Sequence, residues 1–313
     1  MLPLVDGGPR KLVHGVFGTL VRQGVTLPEP PTLPDAVALR WHTAWGDQMI
    51  ADAEQAIAVP PPLDLTLRDP AVVPDLPGTS LIPGHLRLDE KGPVAMLEGF
   101  AEGDWWVQDL AASLPARLIG KGAGTALDLC AAPGGKTLQL AAAGWQVTAV
   151  DISESRLARL HENLERTGLE AKVVDADLLQ WAPKEAADAV LLDAPCSATG
   201  IFRRHPDVLH RVRPSLIREM AELQGRLLAR AADWVKPGGT LVFSTCSLEP
   251  EEGEQQLAAF LKARPDYAIL PVKPEELPDG VMPREDGSLR LLPGTLADAG
   301  GLDGFFIARM RRT

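Results

Sequence analysis

The stretch Thr125-Ala126-Leu127-Asp128-Leu129-Cys130-Ala131-Ala132-Pro133-Gly134-Gly135-Lys136-Thr137 reads as a short apolar strand running into a tight glycine turn. From there the chain alternates. Apolar runs predict strands at 125–129, 146–150, 171–175, 187–192 and 239–245, with helices between them at 136–143, 153–167, 214–235 and 250–263. Strands and helices alternating at this spacing predict an α/β fold, a doubly wound and mainly parallel sheet. In such sheets ligands bind beyond the carboxyl ends of the strands. All three cysteines fall at those ends: Cys130 in the glycine turn, Cys196 in Asp193-Ala194-Pro195-Cys196-Ser197, and Cys246 in Ser244-Thr245-Cys246-Ser247. One cysteine at a strand end reads as a small buried hydrophobe. Three of three, with Asp193 beside one, read as chemistry.

Working outward, residues 1–60 look helical, with an amphipathic stretch at Lys11–Arg22 and a helical spacing of apolar residues from Pro34 to Ala58 that Pro60-Pro61-Pro62 stops. Residues 61–115 alternate polar and apolar with Pro and Gly punctuation, a small α+β module. Residues 116–313 hold the alternating pattern, 271–300 read as loop, and the run from Asp303 to Met310 reads as a last strand.

Composition bounds the function. The 313 residues carry a net charge of −11, which argues against coating nucleic acid by bulk electrostatics. Residues 203–218 are the local exception, with five arginines and two histidines against one aspartate. Such a run is usually a solvated face; directly after the Cys196 turn it also suits phosphate contact, with Arg203, Arg204 and Arg211 as the contacts. No apolar run has the length of a membrane span. Three widely separated cysteines make no disulfide framework and fit a reducing cytoplasm, and with no CxxC pair or metal-spaced histidines no metal site is expected.

Three ligands compete for the glycine turn. A Walker A loop requires glycine where Cys130 stands, and a dinucleotide fingerprint requires GxGxxG, which is absent. S-adenosylmethionine fits better. Its methionine end lies against a glycine turn at a helix N-terminus, Asp151 at the end of the second strand accepts from the ribose, and Asp177 after the third accepts from the adenine amino group.

These motifs resemble those of the RsmB/Sun family of RNA cytosine-5 methyltransferases. The likeness rests on Asp128–Thr137, on Asp193-Ala194-Pro195-Cys196-Ser197-Ala198-Thr199-Gly200 with Arg203-Arg204-His205-Pro206-Asp207, on Thr245-Cys246-Ser247 with Pro250-Glu251-Glu252, and on Val107-Gln108-Asp109 and Asp303-Gly304-Phe305-Phe306. It covers roughly residues 95–310. The resemblance implies a Rossmann-like methyltransferase with S-adenosylmethionine bound by Cys130, Ala131, Ala132, Pro133, Gly134, Gly135, Lys136, Asp151, Asp177 and Asp193. It implies Cys246 as the nucleophile at cytosine carbon 6, Cys196 as the group that helps release product, and Asp193 at the pyrimidine N3, protonated there by a desolvated pocket. Lys136 or the Arg203–Arg204 pair would supply positive character beside the thiolate. The implied partner is RNA, ribosomal RNA first and tRNA as the alternative, acted on by a monomer. A non-catalytic assembly factor is the competing class, and the two cysteines weigh against it. Ribosomal members begin with a NusB-like helical domain, of which residues 1–60 read as a remnant. The adjacent Trp105 and Trp106 suit either base stacking or the core.

Overall fold

Apolar runs set the centre of the molecule. In the computed structural model, which describes residues 8–26, 28–90 and 92–313, Val190–Leu192 and Leu241–Phe243 are buried on both faces of one sheet. Continuous burial of this kind belongs to parallel strands covered by helices on each side.

The chain begins with three helices, α1 (Gly8–Arg22), α2 (Asp35–Trp45) and α3 (Asp47–Ala58). An antiparallel sheet of order β2-β3-β1-β4 follows, built from β1 (Leu63–Leu67), β2 (Gly78–Thr79), β3 (His85–Leu88) and β4 (Trp105–Val107). After α4 (Leu110–Arg117) come β5 (Thr125–Leu129), α5 (Gly135–Ala142), β6 (Gln146–Asp151), α6 (Glu154–Thr167), β7 (Lys172–Asp175) and β8 (Ala187–Asp193). The remainder comprises α7 (Val208–Arg211), α8 (Pro214–Asp233), β9 (Val235–Thr245), α9 (Glu254–Ala263), β10 (Tyr267–Ile269), β11 (Leu289–Leu291) and β12 (Phe305–Arg312).

The large sheet has the order β10-β12-β9-β8-β5-β6-β7, with β11 paired to β12. Strands β7, β6, β5, β8 and β9 are parallel; β12 runs antiparallel to β9. From β5 the chain winds one way through β6 and β7, then returns to β8 on the other side. The crevice between the ends of β5 and β8 is therefore the topological switch point, where open α/β sheets place a ligand.

Two expectations change. The apolar spacing over 34–58 is not one helix: Gly46, at φ +84°, ends α2 and starts α3. A left-handed glycine closes a helix at little steric cost, so the hydrophobic period continues across a break in the backbone. The loop 271–300 also contains β11, whose three residues pair with Phe305–Ile307. Among the described residues no helix is long and apolar enough to cross a membrane, and no group of His, Cys, Asp or Glu has a metal-holding arrangement.

Candidate active site

Neighbouring strands deliver the chemistry. β8 pairs with both β5 and β9, so Asp193 at its end stands between the Cys130 turn and the Cys246 turn. Cys130 takes a left-handed φ of +61° as the chain leaves β5, and Gly134, at +109°, bends it into α5. A Cβ on Gly134 would lie 2.3 Å from Leu160 Cδ1, so glycine is required by space as well as by φ.

The thiols of Cys196 and Cys246 meet, Sγ to Sγ, at 3.4 Å. Hydrogen bonding to Cys246, together with burial, pushes the Cys196 thiol well above its ordinary value. Lys136 donates from Nζ to Asp193 Oδ2 at 2.7 Å, and Ser244 Oγ donates to Asp193 Oδ1 at 2.8 Å. Burial works to lower Lys136, but the charge and hydrogen bond of Asp193 hold it above the usual ammonium value. Asp193 is thus paired with the Lys136 ammonium. The Lys136 ammonium also lies 5.6 Å from the centre of the Phe305 ring.

The turns lock together through backbone. Gly200 N donates to Cys246 O at 2.9 Å, and Gly304 N donates to Gly200 O at 2.8 Å. Thr199 Oγ1 accepts from Leu248 N. The helix α2 grips the same segment: Trp41 Nε1 donates to Glu249 and Trp45 Nε1 to the Leu248 carbonyl.

A cavity of about 300 Å³ opens at the switch point, lined by Asp128, Cys130, Ala131, Ala132, Pro133, Gly135, Lys136 and Asp193, with Trp106 and Gln108 across from them. Gly134, Asp151 and Asp177 do not line it. Asp151 is 2% exposed and pins the turn, with Oδ2 accepting from Ala132 N and Oδ1 from Ser153 N. Asp177, half-buried, accepts from Leu179 N in its own turn. A larger concavity, about 1360 Å³, lies at the opposite ends of the strands, beside Thr125, Gln146 and Lys236. It is away from every residue singled out for chemistry, and the smaller cavity is the one the fold predicts.

Asp128 is a residue whose role the sequence hid. It is fully buried; Oδ2 accepts from Thr137 Oγ1 at 2.5 Å, while Oδ1 has no partner. Burial pushes it up to about 7. Burial and the charge of Asp151 push the Cys130 thiol far above its ordinary value, which disfavours its thiolate.

The arginines correct the sequence reading. Arg203 is buried and donates to both Asp109 and Asp303, and Arg204 reaches the same two carboxylates. Guanidiniums committed to carboxylates 94 and 100 residues away for Arg203, and sequestered with them, are not a phosphate clamp. Arg211 is exposed and pairs with Asp207 on its own helical turn. Trp105 and Trp106 are both buried, donating to Glu98 O and Gln108 Oε1, so both serve the core, Trp106 also forming part of the cavity wall.

Residues 118–311 match the family 16S rRNA methyltransferase RsmB/F. Ribosomal RNA small subunit methyltransferase B of Klebsiella pneumoniae (strain 342) is 48% identical over 193 residues, covering 60% of this chain and 45% of the relative. The chain spans about half the length of the curated relatives it matches. Among solved structures, the crystal structure of PH0851 superposes with a TM-score of 0.80 at 28% identity, covering 90% of this chain and 66% of that one. A methyltransferase homolog protein from Pyrococcus horikoshii gives 0.73 at 27% identity, covering 94% and 97%.

Proposed function

The chain belongs to the 16S rRNA methyltransferase RsmB/F family, and from that membership we propose that it forms 5-methylcytosine in ribosomal RNA with S-adenosylmethionine as methyl donor. The observation that carries the reading is the contact of two thiols beside an Asp–Lys pair at the ends of β8 and β9.

The cavity at the switch point suits the donor. An unpartnered carboxyl oxygen of Asp128 at its edge is what an ammonium group requires, and a cation there relieves the burial that raises Asp128. Backbone N–H groups at the start of α5 take the donor's carboxylate. The family resemblance gives the ribose to Asp151 and the adenine to Asp177; in the fold both stand outside the cavity, and Asp151 holds its wall by accepting from Ala132 N and Ser153 N. Bound there, S-adenosylmethionine supplies an electrophilic methyl group.

Carbon 5 of cytosine is too weak a nucleophile to take that methyl unaided. Cys246 as thiolate adds to carbon 6, which pushes electron density onto carbon 5 and toward N3 and O2. The Lys136–Asp193 pair meets the charge that develops at the N3 edge, with the Lys136 ammonium as the donor. Once carbon 5 is methylated, its proton passes to solvent water and the Cys246 sulfur leaves as the thiolate, which restores the ring. Cys196, kept as a thiol in contact with Cys246, assists that elimination. The target base reaches the site from an unstacked or single-stranded position.

The two cysteines separate in one experiment. With substrate RNA and S-adenosylmethionine, Cys196→Ala is expected to accumulate a protein–RNA complex that survives denaturing electrophoresis, because attack still occurs and release is slow. Cys246→Ala is expected to give neither complex nor product. A complex with Cys246→Ala alone would reverse the roles, and turnover by both variants would refute the two-thiol mechanism.

A further inference from the structure

The sequence explains why two cysteines approach each other, but not what holds them at contact. Both turns converge on one side chain. Glu252, fully buried in the turn Pro250–Glu252, accepts from the backbone N of Ser197 at Oε1, 2.8 Å, and from the Ser197 hydroxyl at Oε2. The Ser247 hydroxyl donates to Oε2 at 2.5 Å. Ser197 directly follows Cys196, and Ser247 directly follows Cys246. The main chain of Glu252 closes the other side, since Thr245 Oγ1, immediately before Cys246, donates to Glu252 O at 3.0 Å. Gln224 on α8 completes the frame: its Nε2 donates both to Glu252 Oε1 at 3.1 Å and to the carbonyl of Pro195, the residue before Cys196, at 2.9 Å. Each cysteine is thus held by both of its chain neighbours.

We propose that Glu252 is the positioning residue of the two-thiol site, its carboxylate tying the residue after Cys196 to the residue after Cys246 so that the two sulfurs stay in contact. The assignment of a purpose to that contact rests on the cysteine mechanism given above; the tie itself does not.

Energetics separate this role from ordinary core satisfaction. The side-chain partners of Glu252 are two serine hydroxyls, one backbone N–H and one glutamine amide, all neutral. A carboxylate buried without a cation is expensive, and an apolar side chain of the same size would serve stability at least as well. It would not connect the turns. Burial pushes Glu252 upward from its ordinary value, while the bonds from Ser197, Ser247 and Gln224 pull it back toward the ionised form that accepts them all. The backbone N–H and the amide can only donate, which fixes Oε1 as an acceptor. Proximity is the return: displacement of a reacting group by about an ångström costs a factor of up to about 10² in rate.

The test reads the sulfur contact directly, without RNA or methyl donor. Diamide closes neighbouring thiols: one S–S bond forms, and the two electrons and two protons lost from the sulfurs reduce the N=N bond to a hydrazine. Titration under denaturing conditions should fall from three thiols to one in the wild-type protein, Cys130 remaining free, and should not fall in Cys196→Ala. Glu252→Gln keeps the side-chain shape but offers one acceptor oxygen instead of two, and closure is expected to slow at least tenfold. In the RNA assay the same variant should accumulate the covalent complex as Cys196→Ala does, while a merely structural defect lowers adduct formation and turnover together. Closure at the wild-type rate in Glu252→Gln overturns the proposal, whatever the RNA assay gives. Slowed closure without any RNA adduct in any variant leaves the positioning role standing and refutes the methyl-transfer reading instead. Should Glu252→Gln fail to fold, Ser247→Ala removes only one hydroxyl tie; slower closure there supports the proposal, and unchanged closure overturns it.

Discussion

Replacing Arg203 by alanine discriminates between the ion cluster seen in the fold and the phosphate contact that the sequence invites. The Arg203 side chain is 5% exposed, and those of Asp109 and Asp303 are 1% and 0%. Its Nε donates to Asp303 at 2.8 Å and its Nη1 to the Gly300 carbonyl at 3.0 Å, with a further bond to Asp109. Asp109 also caps α4 through Ala111 N, and Asp303 enters β12, so the cluster joins the cysteine turn, the first helix of the large sheet and its last strand. Removing one partner of a buried ion pair costs about 3–5 kcal/mol, because a charge is left without compensation. Here Arg204, 32% exposed, remains to neutralise only one of two carboxylates, which places the loss toward the upper part of that range. For 313 residues, at an unfolding entropy of about 2.1 cal/mol/K per residue, the corresponding fall in Tm is about 6–8 °C. Differential scanning calorimetry of Arg203→Ala measures it, and Arg211→Ala, at an exposed pair, is the control with little expected change. RNA affinity as a function of salt, measured well below the transition, should keep the wild-type slope for Arg203→Ala. An unchanged Tm combined with a slope reduced by about one counterion would refute the cluster and restore the phosphate reading.

Much of this was legible beforehand, and the division has a physical basis. The predicted strands 125–129, 146–150 and 187–192 correspond to β5, β6 and β8 within a residue at each end, because buried parallel strands leave continuous apolar runs. The turn cysteines and Asp193 were legible as strand-end residues. The ion cluster was not. A run of arginines in sequence states a charge but not its partner, and Asp109 and Asp303 come from distant segments that only the sheet order brings together. Glu252 was hidden for the opposite reason: Pro250-Glu251-Glu252 looks like the acidic first turn of a helix, yet the chain makes a separate tight turn there and buries its last acid before α9 starts at Glu254. Asp128 sits inside an apolar strand, where alternation predicts a buried side but gives no indication that one carboxyl oxygen lacks a donor.

Two further substitutions probe the site. Asp128 is raised from 3.8 to about 7 in the fold, so the folded state holds a proton that the unfolded chain has released across that window. Its contribution to stability is full below pH 3.8 and falls by about 4 kcal/mol as pH rises to 7. Asp128→Asn, neutral throughout, should lose that slope, so the stability difference between wild type and variant in urea should shift toward the variant from pH 4 to 7; parallel curves would remove the raised carboxyl. Gly200→Ala tests the lock between the turns. A Cβ there would lie 2.1 Å from Gly304 O and 2.9 Å from Cys246 O, both backbone atoms that cannot swing aside. Its φ is not in the left-handed region, so the effect is steric alone. Overpacking costs about 1–3 kcal/mol, and straining the bonds Gly200 N to Cys246 O and Gly304 N to Gly200 O adds about 1 kcal/mol each. The exposed helical Gly225 gives the contrast, since its nearest neighbour is the flexible end of Gln256 at 3.3 Å and alanine is the better helix former. Gly225→Ala should hold or raise the Tm, while Gly200→Ala lowers it and speeds alkylation of Cys246 as the turn loosens. Equal melting temperatures for the two variants would show that the turns are not locked through Gly200.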